Sequence, residues 1–235
     1  MRTVFFGTPE FAAVALEALV ASEHVVTGVV CQPDKPAGRG RHLAAPPVKA
    51  AALRAGLPLA QPNSVRTTTI LDTVRAWAPD VVIVAAYGKI LPPALLTLPP
   101  LGCINIHASL LPHYRGAAPI HWAIARGEAV TGITIMQMDA GMDTGDILLQ
   151  RETPIDAVDT GQTLHDRLAR LGADAVLAAL AGLERGTLTR TPQDPSRATL
   201  APLLRKDDGR IDWAHAAVDL ERLVRAFDPW PSAFT

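Results

Sequence analysis

The chain has little of what several specialised protein classes require. Its 235 residues include two cysteines and 5% aromatic residues, and 22 basic residues against 23 acidic ones leave a formal charge of −1. Cys31 and Cys103, both in apolar strand-like runs, form neither a disulfide framework nor the clustered ligand set of a zinc site. Few aromatic side chains argue against a base-stacking platform for single strands. The balanced charge excludes a protein that is basic overall, so any contact with nucleic acid must be local.

Long apolar runs are also missing. The stretch Val4-Phe5-Phe6 stops at Gly7 and is too short for the hydrophobic region of a signal peptide. No run approaches the roughly 20 residues of a membrane-spanning helix. We therefore expect a cytoplasmic protein that has neither a membrane nor DNA among its partners.

The glycine patterns that hold nucleotide phosphates are absent too. The first strand-to-helix turn reads Gly7-Thr8-Pro9-Glu10-Phe11, without the glycine spacing of the dinucleotide fingerprint and with an acid that would face a pyrophosphate unfavourably. No Gly-x-x-x-x-Gly-Lys-Ser/Thr pattern for nucleotide phosphates occurs either. Dependence on NAD or ATP is therefore not expected.

What the chain does contain is an alternation of strand-like and helical patterns, in which helices separate the first four strands. The predicted strands are Thr3 to Phe6, Val25 to Gln32, Val81 to Ala86, Cys103 to His107, Ile133 to Met138 and Ile147 to Arg151. Thr8 is predicted to cap the first helix, and a later helix is predicted over Thr160 to Gly186. The alternation predicts an α/β fold with a doubly wound, mostly parallel, Rossmann-like sheet. Ligands of such sheets lie beyond the carboxyl ends of the strands.

The most informative segment lies at the end of the fourth predicted strand. Asn105 and His107 are two residues apart, so both side chains lie on one face of the strand. An amine that attacks a carbonyl carbon needs a group to take its proton, which suits His107, and a donor for the developing oxyanion, which suits Asn105. Asp143 lies in a Gly-flanked loop and could orient the imidazole and stabilise its cation. No serine or cysteine nucleophile is needed if the substrate supplies the amine.

Simpler interpretations of these residues exist. Asn-x-His is a short pattern that also occurs at ordinary strand ends. The Asp143-Thr144-Gly145 triplet is also typical of a turn, and an aspartic protease would need two such triplets where the chain has one.

Longer motifs, found in order along nearly the whole chain, resolve the choice. They are Phe6-Gly7-Thr8-Pro9-Glu10-Phe11, Gln32-Pro33-Asp34-Lys35-Pro36-Ala37-Gly38-Arg39-Gly40-Arg41, Ala86-Tyr87-Gly88-Lys89-Ile90-Leu91-Pro92, Asn105 to Ile120, Gly141 to Asp146, Asp208-Gly209-Arg210-Ile211-Asp212-Trp213 and Arg225-Ala226-Phe227-Asp228-Pro229-Trp230-Pro231. Together they resemble the methionyl-tRNA formyltransferase family, whose members formylate initiator methionyl-tRNA with 10-formyltetrahydrofolate.

The resemblance implies roles for individual residues, and the sequence contains no metal-ligand cluster, so no metal is expected. It makes Asn105, His107 and Asp143 the catalytic set, in agreement with the chemical interpretation. It assigns the tetrahydrofolate site to Ser109, Leu110, Leu111, Pro112, Tyr87 and Gly88. Without the flanking motifs, Ser-Leu-Leu-Pro would be interpreted as a strand-to-turn transition.

A basic segment runs from Lys35 to Lys49 and also contains Arg39 and Arg41, with glycines and prolines between the cations. The pattern predicts a mobile cationic loop. The resemblance makes Lys35, Arg39 and Arg41 contacts to the phosphates of the tRNA acceptor stem. A short basic loop is otherwise an ordinary solvated surface feature.

The domain organisation that the resemblance implies is a formyltransferase catalytic domain over 1–189, a linker over 190–207 and the start of a truncated C-terminal β-barrel domain over 208–235. A helix that carries Leu220, Leu223 and Val224 would then have to pack back on the catalytic domain, meet another chain or stay mobile. Two other functions stay open: formylation of an amino sugar or other small amine, and a non-catalytic remnant that binds folate or RNA.

Overall fold

The structure, a computed structural model, describes residues 1–37 and 42–235. The strands in this part of the chain are β1 Arg2–Gly7, β2 Val25–Val30, β3 Lys35–Ala37, β4 His42–Ala44, β5 Leu59–Ala60, β6 Val81–Ala85, β7 Cys103–His107, β8 Arg115–Gly116, β9 Val130–Gln137, β10 Ile147–Pro154 and β11 Leu200–Ala201. The helices are α1 Glu10–Val20, α2 Pro47–Arg54, α3 Thr68–Ala76, α4 Pro93–Leu96, α5 Pro119–Ala125, α6 Gly161–Glu184 and α7 Ala217–Ala226.

A seven-stranded sheet in the order β10-β9-β7-β6-β1-β2-β5 forms the centre of the fold. The five strands β5, β2, β1, β6 and β7, in their order across the sheet, are parallel to one another. Strand β9 is antiparallel to both β7 and β10. The predicted mostly parallel α/β sheet is therefore confirmed. Because β1, β6 and β7 run in the same direction, the loops that follow Gly7, Ala85 and His107 lie at the same edge of the sheet.

Helices cover both faces of this sheet, as a doubly wound fold requires. One apolar core joins α1, α2, α5 and α6 to the sheet, and a second joins α3 and α4 to its other face. Side chains of β7 alternate between the two: Ile104 and Ile106 belong to the first core and Cys103 to the second. This alternation is what gives Asn105 and His107 a shared face.

Two helix starts differ in how they are capped. Thr160 caps α6, because its hydroxyl accepts the Thr163 amide and the Thr163 hydroxyl accepts the Thr160 amide. Thr8 does not cap α1, whose N-cap is Pro9. The Thr8 hydroxyl instead donates to the Tyr87 carbonyl over 3.3 Å, so the residue joins the ends of β1 and β6.

The C-terminal helix packs back on the rest of the chain, the first of the three alternatives considered for it. α7 lies against α5, and Ala226 and Phe227 at its end are buried in the first core. The Phe227 ring meets Trp122 of α5 edge to face, with 5.9 Å between ring centroids. Leu220 and Leu223 are half-buried, and Val224 stays exposed. In the part of the chain that the structure describes, no helix combines the length and apolar character needed to cross a bilayer.

Candidate active site

Asn105 and His107 lie near the carboxyl end of β7. This strand is hydrogen-bonded to β6 on one side and to β9 on the other. Asn105 is opposite Val84 of β6 and Met136 of β9, and His107 is opposite Thr134 of β9. Pairing on both sides holds the strand backbone in place. The spacing of Asn105 and His107 predicts that their side chains share one face of β7. This is confirmed, because Ile104 and Ile106 are buried in the core on the opposite face.

The hydrogen bond made by His107 determines which ring nitrogen is available. The side chain is buried, with 5% of the residue exposed. Its Nε2 lies 3.0 Å from the Tyr114 carbonyl oxygen, which can only accept, so Nε2 carries a proton. The nitrogen left to exchange a proton is Nδ1, and the nearest carboxylate oxygen to it is Oδ2 of Asp143 at 3.7 Å. An imidazolium formed at Nδ1 would therefore face a negative charge.

Asp143 reaches His107 from a loop whose backbone is under strain. Its φ of +54° lies in the left-handed region, which costs a non-glycine residue about 1 kcal/mol or more. Oδ2 of Asp143 accepts the Gly116 amide over 2.8 Å, and this bond aims the carboxylate. The Thr144 hydroxyl donates to both carboxylate oxygens of Asp139, over 2.7 and 2.9 Å. Asp143-Thr144-Gly145 is thus a turn and also a source of one candidate site residue.

Asn105 has its amide available. The residue is half-buried, and within residues 1–37 and 42–235 its side chain makes no hydrogen bond. An amide donor at the carboxyl end of a central strand, beside the His107 ring on the same face, is positioned to meet a carbonyl oxygen. The three candidate catalytic residues are therefore brought together, two by one strand and the third by a loop.

The four residues from Ser109 to Pro112 form a closed turn. The Ser109 hydroxyl donates to the His113 carbonyl over 2.6 Å, and Ser109 is 1% exposed. The Leu111 amide donates to the Thr134 hydroxyl, and its carbonyl accepts the Gln150 amide, each over 3.0 Å. Leu110 is half-buried, whereas Leu111 and Pro112 are buried. The polar groups named here are therefore paired with His113 and with side chains of β9 and β10.

Tyr87 and Gly88 follow β6 at the same edge of the sheet. The Tyr87 ring is buried in the second core and meets Phe6 edge to face, with 5.2 Å between centroids. Burial raises the pKa of its phenol to about 12. Its carbonyl accepts the Gln32 amide over 2.7 Å. Gly88 is exposed and has no side chain, so the backbone faces outward at this position.

The basic segment divides into parts with different surroundings. Its arms β3 and β4 pair as an antiparallel ribbon, and Arg39 and Arg41 lie outside the described residues. Lys35 is exposed and donates to the Gln32 side chain over 2.7 Å. The segment is thus not one continuous loop, because Lys49 belongs to α2.

Lys49 is neutralised where the ribbon begins. Its Nζ lies 2.9 and 2.7 Å from the two carboxylate oxygens of Asp34, and Gln61 donates to the same carboxylate over 2.8 Å. Hydrogen bonds from Gln61 and then Lys49 hold the pKa of the Asp34 carboxyl below its ordinary value. Lys49 therefore anchors the segment and does not add a cation to its surface.

Sequence patterns did not indicate three residues that hold this site. Tyr114 supplies the carbonyl for His107, Gly116 supplies the amide for Asp143, and Gln193 donates to the Asp143 carbonyl over 2.9 Å. Two of these contacts use backbone groups, which carry no residue-specific signal. Gln193 stands between prolines in a segment with the composition of a linker, and nothing local distinguishes it.

A family model described as formyl transferase matches residues 1–180, and one described as formyl transferase, C-terminal domain, matches residues 203–235. The chain belongs to the formyl transferase family. A methionyl-tRNA formyltransferase from Desulfotalea psychrophila is 53% identical over 234 residues, which cover 100% of this chain and 72% of that protein. Another from Pseudomonas fluorescens is 55% identical over 231 residues, covering 98% of this chain and 73% of the relative.

Solved structures share the fold of this formyl transferase at much lower identity. A sugar N-formyltransferase from a Shewanella species superposes with a TM-score of 0.75 at 21% identity, over 99% of this chain and 91% of that one. HypX from Aquifex aeolicus in complex with tetrahydrofolic acid superposes with a TM-score of 0.70 at 19% identity, over 99% of this chain and 35% of that one. These matches support the architecture, while the family membership identifies the chain as an enzyme.

Proposed function

We propose that this formyl transferase moves the formyl group of 10-formyltetrahydrofolate to the α-amine of initiator methionyl-tRNA, giving the formylmethionyl-tRNA used to start translation. One observation carries the proposal: relatives named methionyl-tRNA formyltransferase are 53–55% identical along essentially the entire chain. The cluster of Asn105, His107 and Asp143 supports it with the groups that an amine-to-carbonyl transfer needs.

The reaction requires proton transfer from the amine. The amine nitrogen forms a bond to the formyl carbon, the bond from that carbon to N10 of the folate breaks, the amine loses a proton and N10 gains one. The folate supplies the activated formyl group. Nδ1 of His107 is the ring nitrogen free to take the amine proton, because Nε2 is held by the Tyr114 carbonyl.

Charge stabilisation falls to the other two residues. The Asn105 amide donates to the formyl oxygen as negative charge develops there, an effect worth about 3 kcal/mol where one such donor has been removed from other enzymes. Oδ2 of Asp143, 3.7 Å from Nδ1, stabilises the His107 imidazolium. All three groups act without a nucleophile of the protein.

For the folate we propose a cleft at the carboxyl ends of β6 and β7. The turn from Ser109 to Pro112 gives one wall and the backbone around Tyr87 and Gly88 another. The free amide of Asn105 fits a ligand that brings a carbonyl oxygen to this point. Because the Tyr87 ring is buried, backbone groups and not the phenol would contact the pterin.

For the tRNA we propose phosphate contacts by Lys35, Arg39 and Arg41. The exposed position of Lys35 on the β3–β4 ribbon supports a contact with a large partner. Such contacts weaken as salt rises, because each cation bound to a phosphate releases a counterion.

We also propose the domain division into 1–189, 190–207 and 208–235. The separate matches of two family models, to 1–180 and to 203–235, support a boundary region between them. The middle segment is mostly exposed but hydrogen-bonded to the catalytic part at Thr191, Gln193 and Thr199.

The deciding experiment is single-turnover formyl transfer from 10-formyltetrahydrofolate to methionyl-tRNA, with amino sugars present as competing acceptors. Wild type, Asn105→Ala and the exposed control Asn63→Ala are run in parallel. We expect formylated tRNA from wild type and the control, with Asn105→Ala slower by roughly 10²- to 10³-fold.

Two results would contradict the proposal. Formylated sugar without formylated tRNA would reassign the acceptor. Folate binding without any product from either acceptor would indicate a binding remnant and not an enzyme acting on tRNA.

A further inference from the structure

Gln193 is the point at which the segment 190–207 meets the candidate site. Its neighbours Pro192 and Asp194 are exposed, whereas Gln193 is half-buried. Its Nε2 donates to the Asp143 carbonyl over 2.9 Å and to the Gly145 carbonyl over 2.7 Å. Its Oε1 accepts Nε and Nη2 of Arg115 over 3.1 and 2.7 Å. One carboxamide thus uses both its donor and its acceptor groups on residues around Asp143.

These bonds fix the Asp143 carboxylate in two ways, through the backbone of its own turn and through the segment whose amide donates to it. First, the Gln193 side chain donates hydrogen bonds to two backbone carbonyls of the strained Asp143 turn. Second, it accepts hydrogen bonds from Arg115. The next residue, Gly116, donates its amide to Oδ2 of Asp143. Displacing either attachment would change the distance between Asp143 and the His107 ring.

The same turn is also held by close packing at Gly145. A Cβ at that position would lie 1.8 Å from the carbonyl oxygen of Gln137, at the end of β9. The turn therefore sits directly on the sheet at its far end, and Gln193 holds the portion that projects toward His107.

We propose that Gln193 is a positioning residue for formyl transfer: it sets the Asp143 carboxylate against His107, so that the segment 190–207 completes the active site. The proposal rests on the proposed function for its catalytic consequence, and on geometry alone for the position of Asp143. Gln193 touches no reacting atom and acts through Asp143.

The segment 190–207 has other hydrogen bonds to the catalytic part, so we expect it to stay attached when Gln193 is replaced. Thr191 exchanges two backbone hydrogen bonds with Ile147, over 2.8 and 2.9 Å. The Arg115 amide donates to the Thr199 carbonyl over 2.8 Å, and the Tyr114 amide donates to the Thr199 hydroxyl over 2.8 Å. Gln193→Ala should thus remove the positioning bonds without releasing the segment.

The kinetic test compares Gln193→Ala and Gln193→Glu with Gln162→Ala, a control at an exposed glutamine of α6. Glu keeps an acceptor for Arg115 but has no donor for the two carbonyls. We expect kcat to fall about tenfold in both Gln193 variants, as for the loss of a hydrogen bond, with the KM for folate nearly unchanged. Gln162→Ala should behave as wild type.

A double-mutant cycle separates positioning from general structural support. If Gln193 acts through Asp143, Gln193→Ala should cost much less when added to Asp143→Asn, with under about threefold further loss of kcat. An equal tenfold loss in both backgrounds would overturn the proposal, and so would wild-type kcat in Gln193→Ala.

Amide hydrogen exchange tests the geometry without substrate. The Gly116 amide is protected by its bond to Asp143, so Gln193→Ala should speed its exchange while the amides of β7 and β9 stay unchanged. Unchanged protection of Gly116 would refute the positioning role whatever the enzyme formylates. Failure of wild type to formylate tRNA, with faster exchange at Gly116 in the variant, would refute the proposed function alone.

Discussion

The candidate site has two halves that are built differently. Asn105 and His107 lie on β7, a strand hydrogen-bonded on both sides, and their relative position follows from the geometry of one strand. Asp143 comes from a turn with a left-handed backbone and is held by Gly116 and Gln193, residues 27 and 50 positions away in sequence. The strand half is preorganised by the sheet, and the loop half by a few hydrogen bonds.

The difference implies that the two halves fail in different ways. A substitution in the strand half removes a chemical group from a backbone that stays in place. A substitution around the loop half moves a group that is still present. Activity, stability and amide exchange should therefore separate the halves.

The largest effect is expected for His107→Ala in the strand half. Loss of the proton acceptor should lower kcat by roughly 10²- to 10⁴-fold, while folate affinity changes little. Single-turnover rates and folate titration measure the two quantities, with the exposed His215→Ala as a histidine control. Equal losses of rate and affinity would count against a chemical role for His107.

A smaller effect is expected for Asp143→Asn in the loop half. Asn retains an oxygen for the Gly116 amide but no charge for the His107 imidazolium. Opposite charges at about 4 Å interact by at most roughly 4 kcal/mol at an effective dielectric of 20, so we expect a loss of about tenfold to a hundredfold in kcat. A loss as large as that of His107→Ala would mean that the loop half is as essential to the chemistry as the strand half.

Gly116→Ala should disturb the backbone amide that holds the Asp143 carboxylate, while it leaves the reacting groups unchanged. Gly116 has a φ of +119°, and a Cβ there would lie 2.6 Å from the Ala201 carbonyl oxygen of β11. We expect a loss of about 1–3 kcal/mol in the free energy of unfolding, measured by urea denaturation, together with slower turnover.

Gly186→Ala is the matched control for that substitution. Gly186 has a φ of +64° with no atom within 4 Å of an added Cβ among the described residues, so only the backbone strain is introduced. If the control loses as much stability as Gly116→Ala and keeps full activity, strain explains the stability effect and the clash with β11 does not.

The smallest effect is expected for thiol modification of the native protein. Cys103 lies on β7 and is fully buried, and burial raises the pKa of its thiol to about 12. Cys31, at the end of β2, is also fully buried, and burial raises its thiol pKa to about 11. Neither should react with a thiol reagent until the protein unfolds. Fast modification of Cys103 under native conditions would show that the strand half opens and is not preorganised.

Much of the strand half was predictable because its signals are local. Period-two spacing placed Asn105 and His107 together, and apolar runs located six of the seven strands of the sheet near their observed positions but missed the short edge strand β5. Chain connectivity also favoured parallel strands with their carboxyl ends at one edge. The first helix cap was wrong by one residue, because the Thr8 hydroxyl makes a bond to Tyr87, far away in sequence.

For the loop half, the sequence indicated Asp143 as a candidate residue but did not indicate how its carboxylate is held. Nothing near Asp143 in sequence indicates that Gly116 and Gln193 hold it, or that Nε2 of His107 is occupied by Tyr114. The pairing of Lys49 with Asp34 was hidden for the same reason. Each depends on hydrogen bonds between segments that meet only after folding.

The sequence by itself determined six of the seven strands of the sheet, the family motifs and the chemical groups of the candidate site, because strand periodicity and residue type are properties of short segments. Only the tertiary structure decided which nitrogen of His107 is free, how Asp143 is aimed and where Gln193 binds. Those features depend on distances between loops, and such distances follow from the packing of the whole chain.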